Sequence, residues 1–354
     1  MQTMNQDERA FNLCVRCGTC RTCCPVFEET GWESANTRGR MMIIKELTSG
    51  RLQADGDVLR SLNTCTTCGL CTESCPAGIS PPDIIERAKR SLVSQGKMTR
   101  EQDDLSRSVF QSGNTFGSGA DRLAWLQDRS LIKDRADYVY FVGCMNSYRY
   151  QQTAKNTFSI LSRFGATLMP GEQCCGSPLL RMGFDARELI EENTRQIRVI
   201  GASTVITGCA GCYTTLKNSY GKQFQVLSVP EFLAQHISEI DLKPLDITVT
   251  YHDPCHLGRH NRIYEQPRQV IRAICRLVEM KTSRESARCC GGGGGVRAGY
   301  RDLSLQMARR RLDDIPEEVD YIVTSCPLCV RNLRDGGGGE KVIDLVDLVG
   351  MAME

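Results

Sequence analysis

Cysteine is the residue type in this chain whose number and spacing most clearly indicate chemistry. The 354 residues include 20 cysteines, most of them in tight clusters. Cysteines separated by two residues are typical of metal ligands or redox pairs and not of structural disulfides. A short secreted protein with this content would form disulfides, but this chain is long, and its first residues, MQTMNQDERA, lack the apolar stretch of a secretory signal. We therefore expect a metal-loaded redox protein of the cytoplasm.

Two N-terminal cysteine runs share the spacing C-x2-C-x2-C-x3-C-P. This ferredoxin-type spacing binds two 4Fe-4S clusters, and the fourth cysteine of each run serves the other cluster. We therefore assign one cubane cluster to Cys14, Cys17, Cys20 and Cys75, and a second to Cys65, Cys68, Cys71 and Cys24. A pair of zinc sites is the alternative, but zinc does not need the third cysteine or the Cys-Pro step. Cys23 belongs to neither set and is interpreted as a buried bystander.

Ten further cysteines form a pattern that occurs twice: a single cysteine, an adjacent pair, then C-x-x-C. The first set is Cys144, Cys174, Cys175, Cys209 and Cys212, and the second is Cys255, Cys289, Cys290, Cys326 and Cys329. Five thiols exceed what one zinc ion or one cubane takes, so each set predicts a cluster of unusual shape. Simple burial as small apolar residues is disfavoured because the order repeats, and reversible dithiols remain an alternative. Cys275 fits neither set and is interpreted as core.

Glycines and histidines surround these cysteines. Gly176 and Gly291–Gly295 follow the adjacent pairs, where small residues let backbone approach a bulky ligand. No Lys-Ser/Thr follows the glycine run, so it is not a phosphate loop, and Gly336–Gly339 is interpreted as a flexible connector. In YHDPCHLGRH, His256 is a candidate proton donor to a leaving thiolate, or a simple hydrogen-bonding residue of the loop. Two nearby arginines, Arg259 and Arg262, are candidates to hold an anionic group, although such residues are more often solvated.

The elements that must position these residues differ between the two parts of the chain. Residues 1–100 have helical patterns, and residues 101–135 are polar and rich in Gly and Ser, which predicts a linker. Beyond residue 136, strand and helix patterns alternate, which indicates α/β architecture. We predict strands at Tyr138–Val142, Thr204–Thr207, Ile247–Tyr251 and Tyr321–Thr324, and helices at Met41–Leu47, Asp83–Leu92, Thr153–Phe164, Ala186–Ile200 and Pro267–Leu277.

The C-terminal part repeats itself. Corresponding cysteines of the two sets are offset by 111, 115 and 117 residues (144 to 255, 174 to 289 and 209 to 326), so the order is kept with small insertions. We therefore predict two related α/β units over 136–243 and 244–354. In open α/β sheets ligands gather beyond the carboxyl ends of the strands, where these cysteines fall.

Charge and hydropathy exclude two classes of partner. The chain has 44 Lys and Arg against 42 Asp and Glu, so no basic excess indicates nucleic-acid binding. No run approaches the ~18–20 apolar residues that a membrane span needs. We expect no nucleic acid and no membrane span.

The two cysteine runs and the segments around the repeated cysteines resemble a known family, the D-type iron–sulfur subunits of heterodisulfide reductase. The phrases FVGCMNSYRY, EQCCGSPLL, VITGCAGCYTTLK, YHDPCHLGRH, CCGGGGG and VTSCPLC carry the resemblance over nearly the whole chain. The stretch NTRGRMMIIKEL is similar to the wider family of iron–sulfur subunits of glycolate, lactate and glycerol-3-phosphate dehydrogenases. The resemblance implies an α+β multidomain chain: an all-α two-cluster ferredoxin domain followed by two related Rossmann-like CCG repeats.

The resemblance also implies chemistry. In that family each five-cysteine set holds a noncubane 4Fe-4S cluster, and the substrate is the mixed disulfide of coenzyme M and coenzyme B, reduced to two thiols at the end of methanogenesis. The two cubane clusters would relay electrons from a membrane cytochrome b or a flavoprotein subunit, which would hold the chain at the cytoplasmic face of the membrane.

Two alternatives remain. The first is a non-catalytic electron-transfer subunit of a flavin-dependent hydroxy-acid or glycerol-3-phosphate dehydrogenase. Both five-cysteine sets are complete here, whereas those subunits tend to lose cysteines, so completeness favours disulfide reduction. The second alternative is a zinc or thiol sensor.

Overall fold

A computed structural model of the protein describes residues 11–353. Residues 1–10, which carry the polar sequence MQTMNQDERA and the start of the predicted N-terminal domain, lie outside the described residues, as does residue 354.

Helices make up the regular structure described between residues 14 and 100. They are α1 (Thr19–Thr22), α2 (Pro25–Thr30), α3 (Thr37–Thr48), α4 (Gly56–Asn63), α5 (Leu70–Glu73) and α6 (Pro81–Ser94), with a 3-10 turn at Glu33–Ala35. Polar caps fix where they begin: Asn36 accepts a hydrogen bond from the Gly39 amide at 3.0 Å, and α6 starts with proline. Their apolar faces bury Leu62, Ile84 and Ile85 in one small core.

The segment predicted as a linker contains a further helix, α7 (Arg100–Ser112), which begins with a capping box between Thr99 and Gln102. The Gln102 side chain also hydrogen-bonds Asn63 on α4 at 3.0 and 3.1 Å and donates to the Met182 carbonyl at 3.3 Å. Two of its three buried residues are polar, which is why apolar periodicity did not reveal the helix. The segment therefore joins the N-terminal helices to the first repeat, and a 3-10 turn at Arg129–Leu131 follows.

Two four-stranded parallel sheets form the rest of the chain, with strand orders β2-β1-β3-β4 and β6-β5-β7-β8. The strands are β1 (Tyr138–Phe141), β2 (Thr167–Leu168), β3 (Thr204–Thr207), β4 (Gln225–Ser228), β5 (Thr248–His252), β6 (Arg276–Leu277), β7 (Tyr321–Thr324) and β8 (Val342–Asp344). All four predicted strands are present, two of them with the predicted bounds. The other four were not predicted because two are only two residues long and two lie within longer apolar segments.

Helices accompany both sheets. The first repeat contains α8 (Gly143–Tyr148), α9 (Gln151–Arg163), α10 (Ser177–Met182), α11 (Arg187–Ile200), α12 (Ala210–Ser219) and α13 (Val229–Gln235). The second contains α14 (Gly258–Asn261), α15 (Glu265–Ile274), α16 (Val296–Gly299), α17 (Arg301–Leu312), α18 (Pro327–Leu333) and α19 (Leu345–Met353). Short 3-10 or π turns lie at Ile237–Glu239, Arg284–Ser286, Arg334–Gly338 and Gly339–Lys341.

One apolar core joins the two repeats. Helix α9 of the first repeat packs against α19 of the second, and α13 packs against α15. The shared core holds Phe158 and Phe232 from one repeat with Ile271 and Val346 from the other, all almost completely buried. Asp347 adds a polar contact, since it accepts hydrogen bonds from helix α9 across the boundary. The relative position of the two sheets is therefore fixed by burial of apolar surface.

A buried arginine organises the second repeat. Arg268 on α15 is completely buried and donates two hydrogen bonds to Asp253, at 2.7 and 2.8 Å, and two to Glu279, at 2.6 and 2.9 Å. Asp253 follows β5 and lies two residues before Cys255, so the ion pairs hold the strand end that carries this cysteine. Glu279 lies just after β6, so its contact with Arg268 also holds the chain beyond β6 against α15.

We expect Arg268→Met to lower the free energy of unfolding by about 3–5 kcal/mol, because it leaves the buried Asp253 carboxylate without its cation. Urea unfolding of oxygen-free protein, followed by circular dichroism, measures this. Arg272→Met is the matched control on the same helix: Arg272 pairs with Glu265 at 3.6 Å in an exposed position, and its loss should cost less than about 0.5 kcal/mol. Equal effects of the two substitutions would contradict the role given to Arg268.

Candidate metal centres

The eight cysteines of the N-terminal runs line two adjacent cavities. The outer set, Cys14, Cys17, Cys20 and Cys75, lines the first cavity, whose wall Cys71 also touches. The inner set, Cys24, Cys65, Cys68 and Cys71, lines the second. In each cavity three cysteines of one run therefore meet the fourth cysteine of the other run, which is the grouping that the sequence predicts.

The two runs reach this grouping through the same backbone turn. Arg16 and Thr67, each directly before the second cysteine of its run, have φ angles of 55° and 53°. Gly18 and Gly69, directly after that cysteine, have φ angles of 82° and 79°. Left-handed conformations on both sides of one cysteine curl the chain around a common point, and they are costly for Arg and Thr. Strain at these positions is typical of a loop shaped around a ligand.

The thiol groups of these sets fit metal binding better than any other role. All 20 cysteines of the chain are free thiols, so none of them forms a disulfide. Burial, with help from neighbouring thiols, raises the pKa of Cys20 to about 11, and burial also raises the pKa of Cys71. Such groups stay protonated until a metal replaces the proton, so metal binding would release protons and add stability to the fold.

The ten cysteines of the two repeats all line one larger cavity, of about 540 Å³. The Cys290 and Cys329 sulfurs are 3.3 Å apart, and the corresponding thiols of the first repeat, Cys175 and Cys212, also hydrogen-bond each other. Cys209 of the first repeat hydrogen-bonds Cys326 of the second. The two sets therefore face each other across one space, which the sequence did not show.

Parallel strands explain this convergence. Single cysteines and C-x-x-C pairs all follow the carboxyl ends of β1, β3, β5 and β7, the central strands of the two sheets. Cys209 and Cys326 are the N-cap residues of α12 and α18, so the cysteines three positions later lie on the same helix face.

A buried asparagine holds each adjacent cysteine pair. Asn193 on α11 donates to the Cys174 carbonyl at 3.3 Å and to the hydroxyl of Tyr220 at 3.0 Å. Asn332 on α18 donates to the Cys290 carbonyl. The two asparagines lie on helices that do not correspond between the repeats, so the repeat pattern gave no signal for them.

Another ion pair missed by the sequence lies behind Cys144. Glu172 accepts hydrogen bonds from the Val142 and Gly143 amides at 2.8 and 2.9 Å and pairs with Arg122 at 2.9 Å. Arg122 also contacts the Cys144 sulfur at 3.6 Å. Burial raises the pKa of Glu172 to about 7, against the lowering effect of Arg122. Arg122 comes from the segment expected to be only a linker, and no motif marked it.

The sequence predicted that the glycine run makes room for a bulky ligand; the structure shows that it also makes room for the backbone of the inner set. A Cβ atom on Gly293 would lie 2.6 Å from the Thr66 carbonyl, and one on Gly294 would lie 2.1 Å from the Cys65 carbonyl. These glycines do line the large cavity, but it is the inner set's own backbone that leaves no room for a side chain. The second repeat therefore docks directly on the inner set. Gly336, expected in a flexible connector, is buried against Ala308.

Two histidines of the segment YHDPCHLGRH lie next to cysteines of the second set. His256 lies on the cavity wall, with Nδ1 3.1 Å from the Cys255 sulfur, and its buried Nε2 has no hydrogen-bond partner within residues 11–353. His252 is held by the Arg311 guanidinium at 2.9 Å, behind Cys290.

Arg259, within YHDPCHLGRH, and Arg262, just after it, do not line the large cavity, although both were candidates for anion binding. Arg259 is buried and donates to the Cys68 carbonyl at 2.7 Å, and Arg262 pairs with Glu73 at 2.8 Å. Cys275 packs against the shared core, and Cys23 packs beside Cys68.

Comparison with known proteins matches both parts of the chain. Residues 10–79 match the 4Fe-4S dicluster domain, and residues 138–217 and 249–334 each match the cysteine-rich domain. The chain is 36% identical to the D-type subunit of dihydromethanophenazine:CoB–CoM heterodisulfide reductase of Methanosarcina barkeri, over 97% of this chain and 94% of that protein. It is 30% identical to the EtfAB:quinone oxidoreductase of Syntrophomonas wolfei, over 82% of this chain and 46% of that protein.

A solved structure shares the fold. The crystal structure of a hypothetical protein from Helicobacter pylori superposes with a TM-score of 0.58 over 90% of this chain and 68% of that chain, at 12% identity.

These matches define an iron–sulfur oxidoreductase subunit whose cofactors are 4Fe-4S clusters, of the cubane type in the dicluster module and of the noncubane type in the cysteine-rich repeats. The chain belongs to the family of D-type heterodisulfide reductase subunits. Among residues 11–353, no helix is both long and apolar enough to cross a membrane.

Docking of the glycine run predicts that Gly294→Ala lowers the free energy of unfolding by about 2–5 kcal/mol, because strain at its φ of 65° adds to a clash with the Cys65 carbonyl. Gly31→Ala is the matched control, since Gly31 has a φ of 68° and no atom within 4 Å of the added Cβ. Its cost should be only about 1–2 kcal/mol. Urea unfolding of both variants measures the difference, and the absence of a difference would contradict the packing role.

Proposed function

We propose that this chain is the iron–sulfur subunit of a heterodisulfide reductase-type complex and reduces a disulfide to two thiols. The observation that carries the proposal is that both complete five-cysteine sets line one cavity and meet at Cys209 and Cys326. Reduction of R–S–S–R′ takes two electrons and two protons and gives RSH and R′SH. Two sets that face a single space suit a substrate that divides into two sulfur-bearing halves.

When bound, the clusters supply electrons one at a time and iron that accepts sulfur. The cysteine sets are proposed as their ligands: the outer and inner sets for the two cubane clusters, and the five-cysteine sets for the noncubane ones. Apolar side chains, among them Leu105, Phe116 and Leu328, form part of the cavity wall. His256 remains the candidate proton donor, because it lines the cavity beside Cys255 and its Nε2 has no hydrogen-bond partner among residues 11–353. Burial lowers its pKa, so a proton would leave it readily.

Arginines on the cavity wall indicate a disulfide with anionic groups. Four arginines line it, and two of them are already paired: Arg181 with Glu86, and Arg297 with Asp335. Within residues 11–353, Arg301 and Arg331 have no ion-pair partner. Guanidinium groups bind carboxylate, phosphate or sulfonate groups through paired hydrogen bonds. The mixed disulfide of coenzyme M and coenzyme B, or a related one, is therefore the proposed substrate class.

Electron delivery is proposed to start at the outer set. Cys17 is exposed, whereas the inner set is buried and in contact with the second repeat, where the Cys68 and Cys289 thiols hydrogen-bond. A membrane cytochrome b or a flavoprotein subunit is the proposed donor, and it would hold the chain at the cytoplasmic face of the membrane.

The proposed domain organisation follows the family matches. We propose an all-α ferredoxin domain over 1–100, a connecting segment over 101–135, and Rossmann-like repeats over 136–243 and 244–354, in agreement with the matched ranges 10–79, 138–217 and 249–334.

A second candidate is a non-catalytic electron-transfer subunit of a flavin-dependent dehydrogenase complex, favoured by the similarity to EtfAB:quinone oxidoreductase. It uses the same cubane clusters but needs no substrate in the large cavity, so an assay of disulfide reduction separates the two functions.

The test is anaerobic reduction of coenzyme M–coenzyme B disulfide with reduced methyl viologen. We expect Cys212→Ala to lower the rate by roughly 100-fold or more, because it removes a proposed ligand, while the electron paramagnetic resonance (EPR) signals of the cubane clusters persist. Cys275→Ala, a cysteine outside every set, is the control and should keep the rate within about 2-fold. Wild-type protein should contain roughly 16 iron atoms, four for each of four clusters. Iron-replete protein without disulfide reduction would favour the second candidate.

The proposed anion-binding arginines of the cavity, Arg301 and Arg331, give a separate prediction. Arg331→Gln should lower kcat/KM for a disulfide with anionic groups by roughly 10- to 100-fold, the effect of one lost charged hydrogen bond. An uncharged disulfide should be reduced as before. Arg149→Gln is the control, because Arg149 is a nearby exposed cation that stacks over Phe116 and does not line the cavity. An equal effect of Arg331→Gln on both substrates would contradict the anion-binding role.

A further inference from the structure

Three buried cations surround the inner cysteine set. Arg40 is 1% exposed, and its Nη1 lies 3.9 Å from the Cys24 sulfur. Its other donors bind the Ser61 carbonyl at 2.7 Å and the Thr64 hydroxyl at 3.0 Å, so the guanidinium is fixed in place.

The second cation is Lys89 on α6, which is 2% exposed. Its ammonium donates to the carbonyls of Arg181 and Gly294 at 3.4 and 3.3 Å. Gly294 is the glycine that packs on the Cys65 carbonyl, so the charge lies beside the inner set without touching a cysteine side chain. Burial lowers the pKa of Lys89 to about 8, so the ammonium remains charged at neutral pH.

The third cation is Arg259, which is 5% exposed. It donates to the Cys68 carbonyl at 2.7 Å and to the Ala287 carbonyl at 2.6 Å.

None of these three cations has a carboxylate within ion-pair distance among residues 11–353, and Glu86, which acts on Lys89 at longer range, is already paired with Arg181. Buried charges without a counter-ion are strongly disfavoured, so three of them around one site require an anion there. A cluster held by four thiolates is such an anion, and it gains a further negative charge when it is reduced.

The outer set lies in a different electrostatic environment. Glu33 neutralises Arg38 at 2.6 Å and Arg21 at 3.5 Å, and these three side chains are at least one-third exposed. A third arginine, Arg16, also lines the outer cavity and is exposed to solvent. Water and the carboxylate therefore screen the positive charge at this site.

We propose that Arg40, Lys89 and Arg259 hold the reduction potential of the inner cluster above that of the outer cluster, so that electrons move inward. Burial alone would disfavour the added negative charge, but the same low dielectric strengthens the attraction of three uncompensated cations. One electron leaves the outer cluster and one enters the inner cluster, with no proton transferred. The reductant is an external one-electron donor. The inference rests on the clusters of the proposed function and is independent of the disulfide substrate.

The experiment is a dithionite titration of anaerobic, full-length, iron-loaded protein, followed by EPR. In wild-type protein one cubane signal should titrate at higher potential than the other. Lys89→Met should shift only that higher signal to lower potential, and Lys89→Arg should leave it in place because the charge is kept. Arg90→Met, which removes an exposed cation from the next position of α6, is the matched control and should leave both signals unchanged.

An unchanged potential in Lys89→Met at normal iron content, or a shift of the lower signal instead, would overturn the inference. Lys89→Gln keeps a hydrogen-bond donor without the charge and should shift the same signal, so it provides the answer if the Met variant fails to load iron. Iron per chain, measured on the same samples, distinguishes a variant that fails to load its clusters from one that carries clusters with an unchanged potential. Wild-type protein without cubane clusters would refute the cluster assignment, whereas loaded clusters with equal potentials would refute only the role of the cations.

Discussion

Sulfur as thiolate is costly to bury, and this cost governs the design of the molecule. Eighteen of the 20 cysteines line three cavities, most of them out of contact with water. The protein balances this sulfur locally: Arg40 lies at Cys24, Arg122 at Cys144 and Arg259 beside Cys68. Metal supplies the remaining positive charge. Strained loops, buried arginines and glycine packing can be understood as the means of gathering thiols that would otherwise avoid a common site.

The two repeats are similar in sequence but not equivalent in the folded chain. The second repeat contacts the inner set directly. Gly293 and Gly294 leave room for the backbone of the inner set, and the Cys289 thiol hydrogen-bonds Cys68. The first repeat also packs on the N-terminal helices, through α10 and α6, and it receives Arg122 from the connecting segment. A duplicated unit has thus acquired two surroundings, one with the inner cysteine set against its glycine run and one with Arg122 behind Cys144.

Rigidity follows from how the parts are joined. The repeats share one apolar core, the N-terminal helices pack on the glycine run, and Lys89 hydrogen-bonds both repeats at once. The junctions at the glycine run and at Lys89 lie beside the inner set, so packing between modules also sets the distances between centres. For a protein that passes electrons from site to site, the domain interfaces are therefore part of the functional apparatus and not only supports for it.

The sequence alone determined the chemistry and the local architecture. Cysteines separated by two residues are predicted to share a centre, and the cysteine that follows after three residues is predicted to serve the other centre. Alternating patterns predict the central strands whose carboxyl ends carry the remaining sets. Only the tertiary structure decided that both five-cysteine sets line one cavity, that the glycine run packs on Cys65 and Thr66, and that Arg122 and Lys89 belong to the sites. These contacts join residues far apart in sequence. They depend on how whole elements pack, and no periodicity or motif within one segment encodes the partner that it will meet.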